Sequence, residues 1–292
     1  MTIIYKLVAI VVLALIFVGL VNIPRPTQTK SLTPLSVAFD WTPNTNHTGI
    51  YVALQKGWYR DEGIELTLLP YSSTVYPDVL VAEGKADVGI SSTEGVVADA
   101  AAGNPVVSIA AIISHNTSAL AVRKDSGITK PAQLTNKIYG GFGAPFEEAV
   151  VRKMIEQDGG AGVFKNVILD VGAMEALKAG RIDFVWIFLG WDGILAKREG
   201  LELTTFPVTS FGIPDYATPN IITSPKTLQE KKEVLKKFMK ATARGYEYAR
   251  TNATESAKIL IETVPADTFT DKDFVCKLCG FRNTGVFSDS KG

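Results

Sequence analysis

Short apolar runs alternate with helical patterns along most of this chain, and the alternation pauses and restarts near residue 120. That rhythm constrains the fold more than any other feature. Strands separated by helices pair in parallel through right-handed crossovers. In the first half, residues 35–39, 64–69, 86–90 and 106–113 read as strands, and 49–56, 77–83 and 94–102 as helices. In the second half, 120–123, 137–139, 167–169, 184–188 and 203–206 read as strands, with helices over 146–157, 174–178 and 193–198. Residues 220–223 then form a strand that returns to the first half, followed by a long helix over 226–250 and a shorter one over 256–263. The 292 residues are too many for one small core. The pattern predicts two α/β lobes, residues 35–119 with 217–270 and residues 120–216, joined by two crossings and separated by a cleft that closes on a small ligand.

In open α/β sheets, ligands sit at the carboxyl ends of the strands. The first strand ends in Asp40-Trp41-Thr42-Pro43-Asn44-Thr45-Asn46-His47-Thr48-Gly49. This loop has one large aromatic, two carboxamides, an imidazole and several hydroxyls, and no Lys or Arg. Such a set suits a flat, polar, uncharged heterocycle, with a ring to stack on and donors and acceptors for its edge. It suits a phosphate poorly, because it offers neither a cation nor a glycine-rich nest. Trp41, Asn46 and His47 are therefore ligand candidates. Asn44 serves either the ligand or the turn, and Pro43 and Thr48 read as turn and cap residues.

Lys+Arg and Asp+Glu both number 30, with no basic stripe, which argues against nucleic acid as a partner. Residues 1–24 combine Lys6 with an apolar run over 7–21, as an export signal or membrane anchor does. Residues 25–34 read as a tether. The only cysteines are Cys276 and Cys279, too few to close a tetrahedral zinc site, and His47 and His115 lie far from them in sequence. No metal and no cofactor are expected. Residues 271–292 break the helical pattern and read as a truncated or disordered tail.

Several of these stretches resemble the thiamine-pyrimidine-synthase-like family of solute-binding proteins. They are the 40–49 loop, Tyr51-Val52-Ala53, Lys56-Gly57, Asp61-Glu62-Gly63-Ile64, Glu83-Gly84-Lys85-Ala86-Asp87-Val88-Gly89, Gly140-Gly141-Phe142-Gly143-Ala144-Pro145-Phe146-Glu147 and Asp215-Tyr216. The resemblance covers about residues 35–265. It implies a two-lobed type II periplasmic-binding fold and a hydroxymethyl- or formylamino-pyrimidine ligand. It also implies an ABC permease and ATPase as partners and an extracytoplasmic location. The family includes enzymes that build the pyrimidine phosphate, using a Lys and a His after the third strand and a cysteine-rich loop near the crossing. Here Ile90-Ser91-Ser92-Thr93-Glu94-Gly95 has neither Lys nor His, and Phe211-Gly212-Ile213-Pro214-Asp215-Tyr216 has no Cys. Without an amine no Schiff base can form, so no catalytic residue is assigned.

Transport members carry Trp-Glu-Gly where this chain has Trp191-Asp192-Gly193. The resemblance thus implies a carboxylate, here one methylene shorter, that accepts from an aminopyrimidine edge. Asp192 can equally cap the helix that follows. Trp191, in a strand–helix loop, is the better stacker, and Trp186, within a strand, serves the site or the core. Ser91 and Ser92 cap the next helix or touch ligand, and Ser91 with Glu94 matches a capping box. The glycines around Phe142 should let backbone N–H groups face the cleft, with Glu147 complementing the helix dipole. Tyr216 closes over the ring or packs the hinge. Trp58 and Tyr59 read as exposed anchoring residues, and His115 as structural. The expectation is a monomeric, non-enzymatic binding protein for a thiamine-precursor pyrimidine. The alternatives are another small solute, such as riboflavin or a sulfonate, an enzyme of the synthase type, and an extracytoplasmic sensor.

Overall fold

A computed structural model of the chain describes residues 31–281 apart from 267 and 270. The expected export segment, most of the tether and the last eleven residues of the tail lie outside the described residues. Thr33 opens the unit that contains both sheets. No helix among the described residues is long and apolar enough to cross a membrane.

The first sheet is built from β1 (Thr33–Ala38), β2 (Ile64–Leu69), β3 (Val88–Ser91), β4 (Val107–Ala111) and β10 (Asn220–Thr223), in the order β2-β1-β3-β10-β4. The second is built from β5 (Ser118–Arg123), β6 (Ile138–Gly141), β7 (Lys165–Ile168), β8 (Phe184–Phe188) and β9 (Leu203–Pro207), in the order β7-β6-β8-β5-β9. The two sheets share one plan. Three strands run parallel, and a strand arriving from a crossing is inserted antiparallel beside them: β10 between β3 and β4, and β5 between β8 and β9. Both sheets are therefore mixed, where the alternation alone suggested parallel pairing. Antiparallel pairing needs no helix between the strands, so the strand–helix rhythm is silent about it.

Near-continuous apolar strands bury both faces of each sheet, as helices on both sides require. Leu35, Val37, Val88 and Ile90 pack with Ile50, Val52, Tyr59 and Phe238 on one face of the first sheet; Ala38, Val81, Val106 and Ile222 fill the other. In β5, Leu120 and Val122 face Tyr139, Met154, Phe184 and Trp186, whereas Ala119 and Ala121 face Leu177 and Ile187.

Three local expectations change. Trp58 and Tyr59 are buried in a short helix (Trp58–Asp61). The Arg244 guanidinium lies 3.9 Å over the Trp58 ring, and the Tyr59 hydroxyl is 2.8 Å from that of Thr242. Cover from a helix some 185 residues later is invisible locally. The expected helix over 226–250 is two, Pro225–Glu230 and Lys232–Thr251, divided where the Lys231 ammonium bonds Asp87 at 2.7 Å. Finally, residues Lys272–Phe281 form a helix despite their irregular pattern, begun by the Asp271 carboxylate accepting from the Phe274 N–H at 2.9 Å.

Helix α1 (Thr48–Gln55), which follows the 40–49 loop, packs against the long Lys232–Thr251 helix through facing glycines. A Cβ on Gly245 would lie 2.0 Å from the Gly49 carbonyl oxygen. In the same place the Tyr246 hydroxyl donates to the Asn46 carbonyl at 2.7 Å, tying the long helix to the loop. Replacing a mid-helix Gly by Ala ordinarily stabilises by about 0.5–1 kcal/mol. Here backbone must move, so Gly245→Ala should destabilise by about 1–3 kcal/mol. A urea midpoint equal to or above that of the parent would refute the close contact.

Candidate functional site

The carboxyl ends of β1, β2 and β3 present the loops around Trp41, Tyr71 and Ser91. The corresponding ends of β6, β7 and β8 present those around Phe142, Asp170 and Trp191. The two sets meet. The Trp41 and Tyr71 rings are 4.9 Å apart, and Trp41 stands edge-on to Phe142 at 6.5 Å. Phe142 in turn meets Trp186 and Phe146 at 6.2 Å each. The Tyr71 hydroxyl donates across to Asp170. A row of aromatic faces thus runs from the first sheet's loops into the second sheet.

Polar groups around this row divide into those already used and those left over. His47 is 0% exposed. Its Nδ1 faces the Asn44 N–H at 3.4 Å and its Nε2 lies 2.9 Å from Asp40 Oδ1. An Nδ1 that accepts requires the proton on Nε2, so the ring donates to Asp40 and aims that carboxylate. The Asn44 side chain accepts from the Asn46 N–H at 2.8 Å and donates to the Thr42 carbonyl at 3.0 Å. Asn44 and His47, expected at the ligand, shape the loop instead. Asp40, which is 29% exposed, and Trp41 reach the surface of the loop, as do Thr42, Pro43 and Asn46. Thr48 likewise turns inward, donating to the Thr45 carbonyl at 2.9 Å.

After β3 the expected capping box is absent. Ser92 caps the helix α4 (Thr93–Ala102) by accepting from the Gly95 N–H at 2.9 Å, and Ser91 is buried against Asp78. Glu94, freed from capping, accepts from the Tyr216 hydroxyl, while its Oε2 is buried with no partner among the described residues. Burial, and then the Glu94 carboxylate, push the Tyr216 hydroxyl far above the usual phenol range. The crossings are stitched beside it. The Asp215 carboxylate takes the His115 ring at 2.7 Å and the Asn116 N–H at 2.9 Å, and Thr93 donates to the Ala217 carbonyl at 2.6 Å. Tyr216 therefore joins hinge and site in one contact. Trp186, 8% exposed, also leaves its Nε1 buried without a partner among the described residues.

The loop after β6 behaves differently from expectation. Its N–H groups do not face an open cleft. Glu147, 1% exposed, accepts from Phe142 N at 2.9 Å, Gly143 N at 2.8 Å, Ala144 N at 3.1 Å and the Tyr139 hydroxyl. Gly143 supplies the positive φ of 96° that lets the backbone wrap this carboxylate.

Trp191 and Asp192 lie in a single π-turn, Leu189–Gly193. The wider turn carries Trp191 away from the aromatic row, onto Phe274 at 5.3 Å and Phe269 at 6.3 Å. Arg198 pairs with Asp271 at 2.7 Å on the same side. Asp192 does not cap the next helix; its Oδ2 accepts from the Phe188 N–H at 2.8 Å and holds the end of β8. Sequence reasoning missed Asp40, Tyr71 and Asp170. Their signal was position, since each follows a strand's carboxyl end, but the residue types are ordinary for loops.

Burial raises the Asp192 carboxyl to about 6, against the two backbone N–H groups that lower it. Between the ordinary aspartate range near 4 and about pH 6, the folded state then holds a proton that the unfolded state has lost. Stability from this group is present at the acid side and disappears as pH rises through that window. Asp192→Asn should gain stability over the parent progressively from pH 4 to 6 and hold the gain above. The gain should reach about 1–2 kcal/mol after allowing for partial exposure. Denaturant midpoints at pH 5 and pH 7.5 that leave the difference unchanged would contradict this environment.

The family described as NMT1/THI5 like matches residues 44–256. The chain is 26% identical to a formylaminopyrimidine-binding protein of Halalkalibacterium halodurans, over 88% of this chain and 78% of that one. It is also 26% identical to a 4-amino-5-hydroxymethyl-2-methylpyrimidine phosphate synthase of Legionella pneumophila, over 79% and 74%. Among solved structures, the alkanesulfonate-binding protein SsuA of Xanthomonas axonopodis matches at a TM-score of 0.65 and 14% identity, over 85% of this chain and 83% of that one, which speaks to the fold. With this topology and this match along most of its length, the chain is a two-lobed α/β protein of the type II periplasmic-binding fold and belongs to the NMT1/THI5-like family.

Proposed function

We propose that this chain captures a thiamine-precursor pyrimidine outside the cytoplasm and hands it to an ABC permease, without chemistry of its own. The observation that carries this reading is the aromatic row Tyr71–Trp41–Phe142–Trp186, with two buried polar atoms that have no partner among the described residues, Trp186 Nε1 in the row and Glu94 Oε2 at the Tyr216 crossing. Buried polar atoms without partners are costly unless a ligand meets them. An aminopyrimidine answers both: its exocyclic amine donates to a carboxylate, its ring nitrogens accept, and its faces stack. Asp40, Tyr71 and Tyr216 complete the set. The relative named for formylaminopyrimidine binding supports the ligand class.

A binding role fits better than a synthase role. No Lys or His occurs in residues 90–95, and the Ser91 hydroxyl donates to the Asp78 carboxylate. Residues 90–95 hold no cysteine, and the Ser92 hydroxyl is spent on the Gly95 N–H. The apolar segment over residues 7–21 supports export and delivery at a membrane. A monomer suffices, because the proposed contacts all come from one chain.

Calorimetric titration of the full chain with hydroxymethylpyrimidine, its formylamino analogue, thiamine and riboflavin tests this. A pyrimidine should bind and be recovered unchanged. Trp41→Ala should weaken it by about 1–3 kcal/mol, roughly 5- to 150-fold, and Glu94→Gln by about tenfold. A folded protein that prefers riboflavin or a sulfonate would keep the fold and overturn the ligand. Pyrimidine binding indifferent to both substitutions would move the site elsewhere.

A further inference from the structure

We infer that Glu147 is a specificity-determining residue: its carboxylate occupies an anion-binding nest beside the cleft and so bars ligands that carry a phosphate, sulfate or sulfonate. Successive backbone N–H groups converging at a helix start form a ready anion site. Here Phe142, Gly143 and Ala144 offer three such groups just before helix α5 (Glu147–Gln157). All three point at Glu147, within 2.8–3.1 Å, and Tyr139 adds a fourth donor. The carboxylate is 1% exposed and its oxygens share these donors, so no N–H of the nest remains for an incoming oxyanion.

The loop that forms the nest borders the loops of the first sheet, although its N–H groups are turned onto Glu147. Phe142 stands against Trp41, and a Cβ on Gly143 would lie 3.6 Å from the Tyr76 hydroxyl of the first sheet's loops. The surrounding loops reinforce the exclusion. Residues 40–49, 71–76, 91–95, 140–147, 168–172, 186–192 and 211–218 contain no Lys or Arg, but they carry Asp40, Glu94, Glu147, Asp170, Asp192 and Asp215. A concave site lined with one sign of charge repels ligands of that sign. Applied to the pyrimidine reading, on which only the choice of ligand rests, the chain takes the free alcohol and refuses its phosphate ester.

The test has two arms. In the first, the full chain and its Glu147→Ala and Glu147→Ser variants are melted with inorganic phosphate or sulfate, against chloride at matched ionic strength. The parent should show no anion-specific rise in Tm. The variants should melt lower in chloride and regain part of the loss in phosphate, since a bound anion stabilises the state that holds it. In the second arm, the parent is titrated with hydroxymethylpyrimidine and with its phosphate ester, and the ester should bind at least about 100-fold more weakly. The proposal falls if the parent binds phosphate as well as the variants do, or if phosphate neither binds nor restores either variant. It falls equally if ester and alcohol bind alike. Failure of the parent to bind any pyrimidine would sink the proposed ligand, while the anion arm would still decide the role of Glu147.

Discussion

The structure depends on two hydrogen-bonded insertions. Each sheet accepts, beside its parallel strands, an antiparallel strand that the chain brings across from the other half. The ladders fix the crossings as well as the sheets. Asn220 pairs with Ser91 on one side and Ala111 on the other, and its side-chain amide donates to Thr93 at 2.7 Å. That register sets Tyr216 and Ala217 beside the start of helix α4. Ser118, opposite Phe188, does the same for the other crossing. The hinge and the binding loops are therefore one neighbourhood. A change in the angle between the halves must alter the spacing of Trp41 from Phe142, because the two rings stand on loops of different sheets.

Most polar side chains of the cleft loops are consumed by the loops themselves. His47 orients Asp40, Asn44 holds the turn, Ser91 holds Asp78, Ser92 caps a helix, and Thr93 ties that helix to a crossing. Asp87, in the Glu83–Gly89 stretch, accepts from the Ser36 N–H at 3.0 Å and pairs with Lys231, so that stretch is a brace for β1 rather than part of the site. Loops braced in this way lose little further freedom when a ligand arrives, which favours affinity. Among the described residues, Glu94 Oε2 and Trp186 Nε1 are among the buried polar atoms left without a partner.

Charge explains how one scaffold can serve different ligands. A protein of the same fold is named for alkanesulfonate binding. Fold alone does not choose among solutes; side chains at the strand ends do. In this chain a cluster of backbone N–H donors is filled by a carboxylate of the protein, and the loops around it carry acids but no Lys or Arg. The discrimination is structural and electrostatic at once, because the same group fills the space and carries the repelling charge.

The order of strands and helices was legible in the sequence because each element's apolar period is local: β2, β8 and β10 occur at the expected residues, and the other strands within about two. That Trp41 and Phe142 meet follows from the same order, because strand-end position is a topological consequence of it. The division of labour among polar residues was not. Asn44, His47 and Ser91 have the chemistry of ligand contacts, yet each finds a partner inside the protein, and those partners are settled by packing geometry that residue type does not encode. Trp191 turned away because a π-turn widened the chain by one residue. Trp58 and Tyr59 were covered by a helix distant in sequence. Glu147 looked like a dipole partner, and three backbone N–H groups made it the occupant of the anion nest. Local periodicity thus determined the elements and their order. Only the tertiary structure decided which polar groups were spent and which were left for a ligand, because hydrogen-bond satisfaction is a property of neighbours in space.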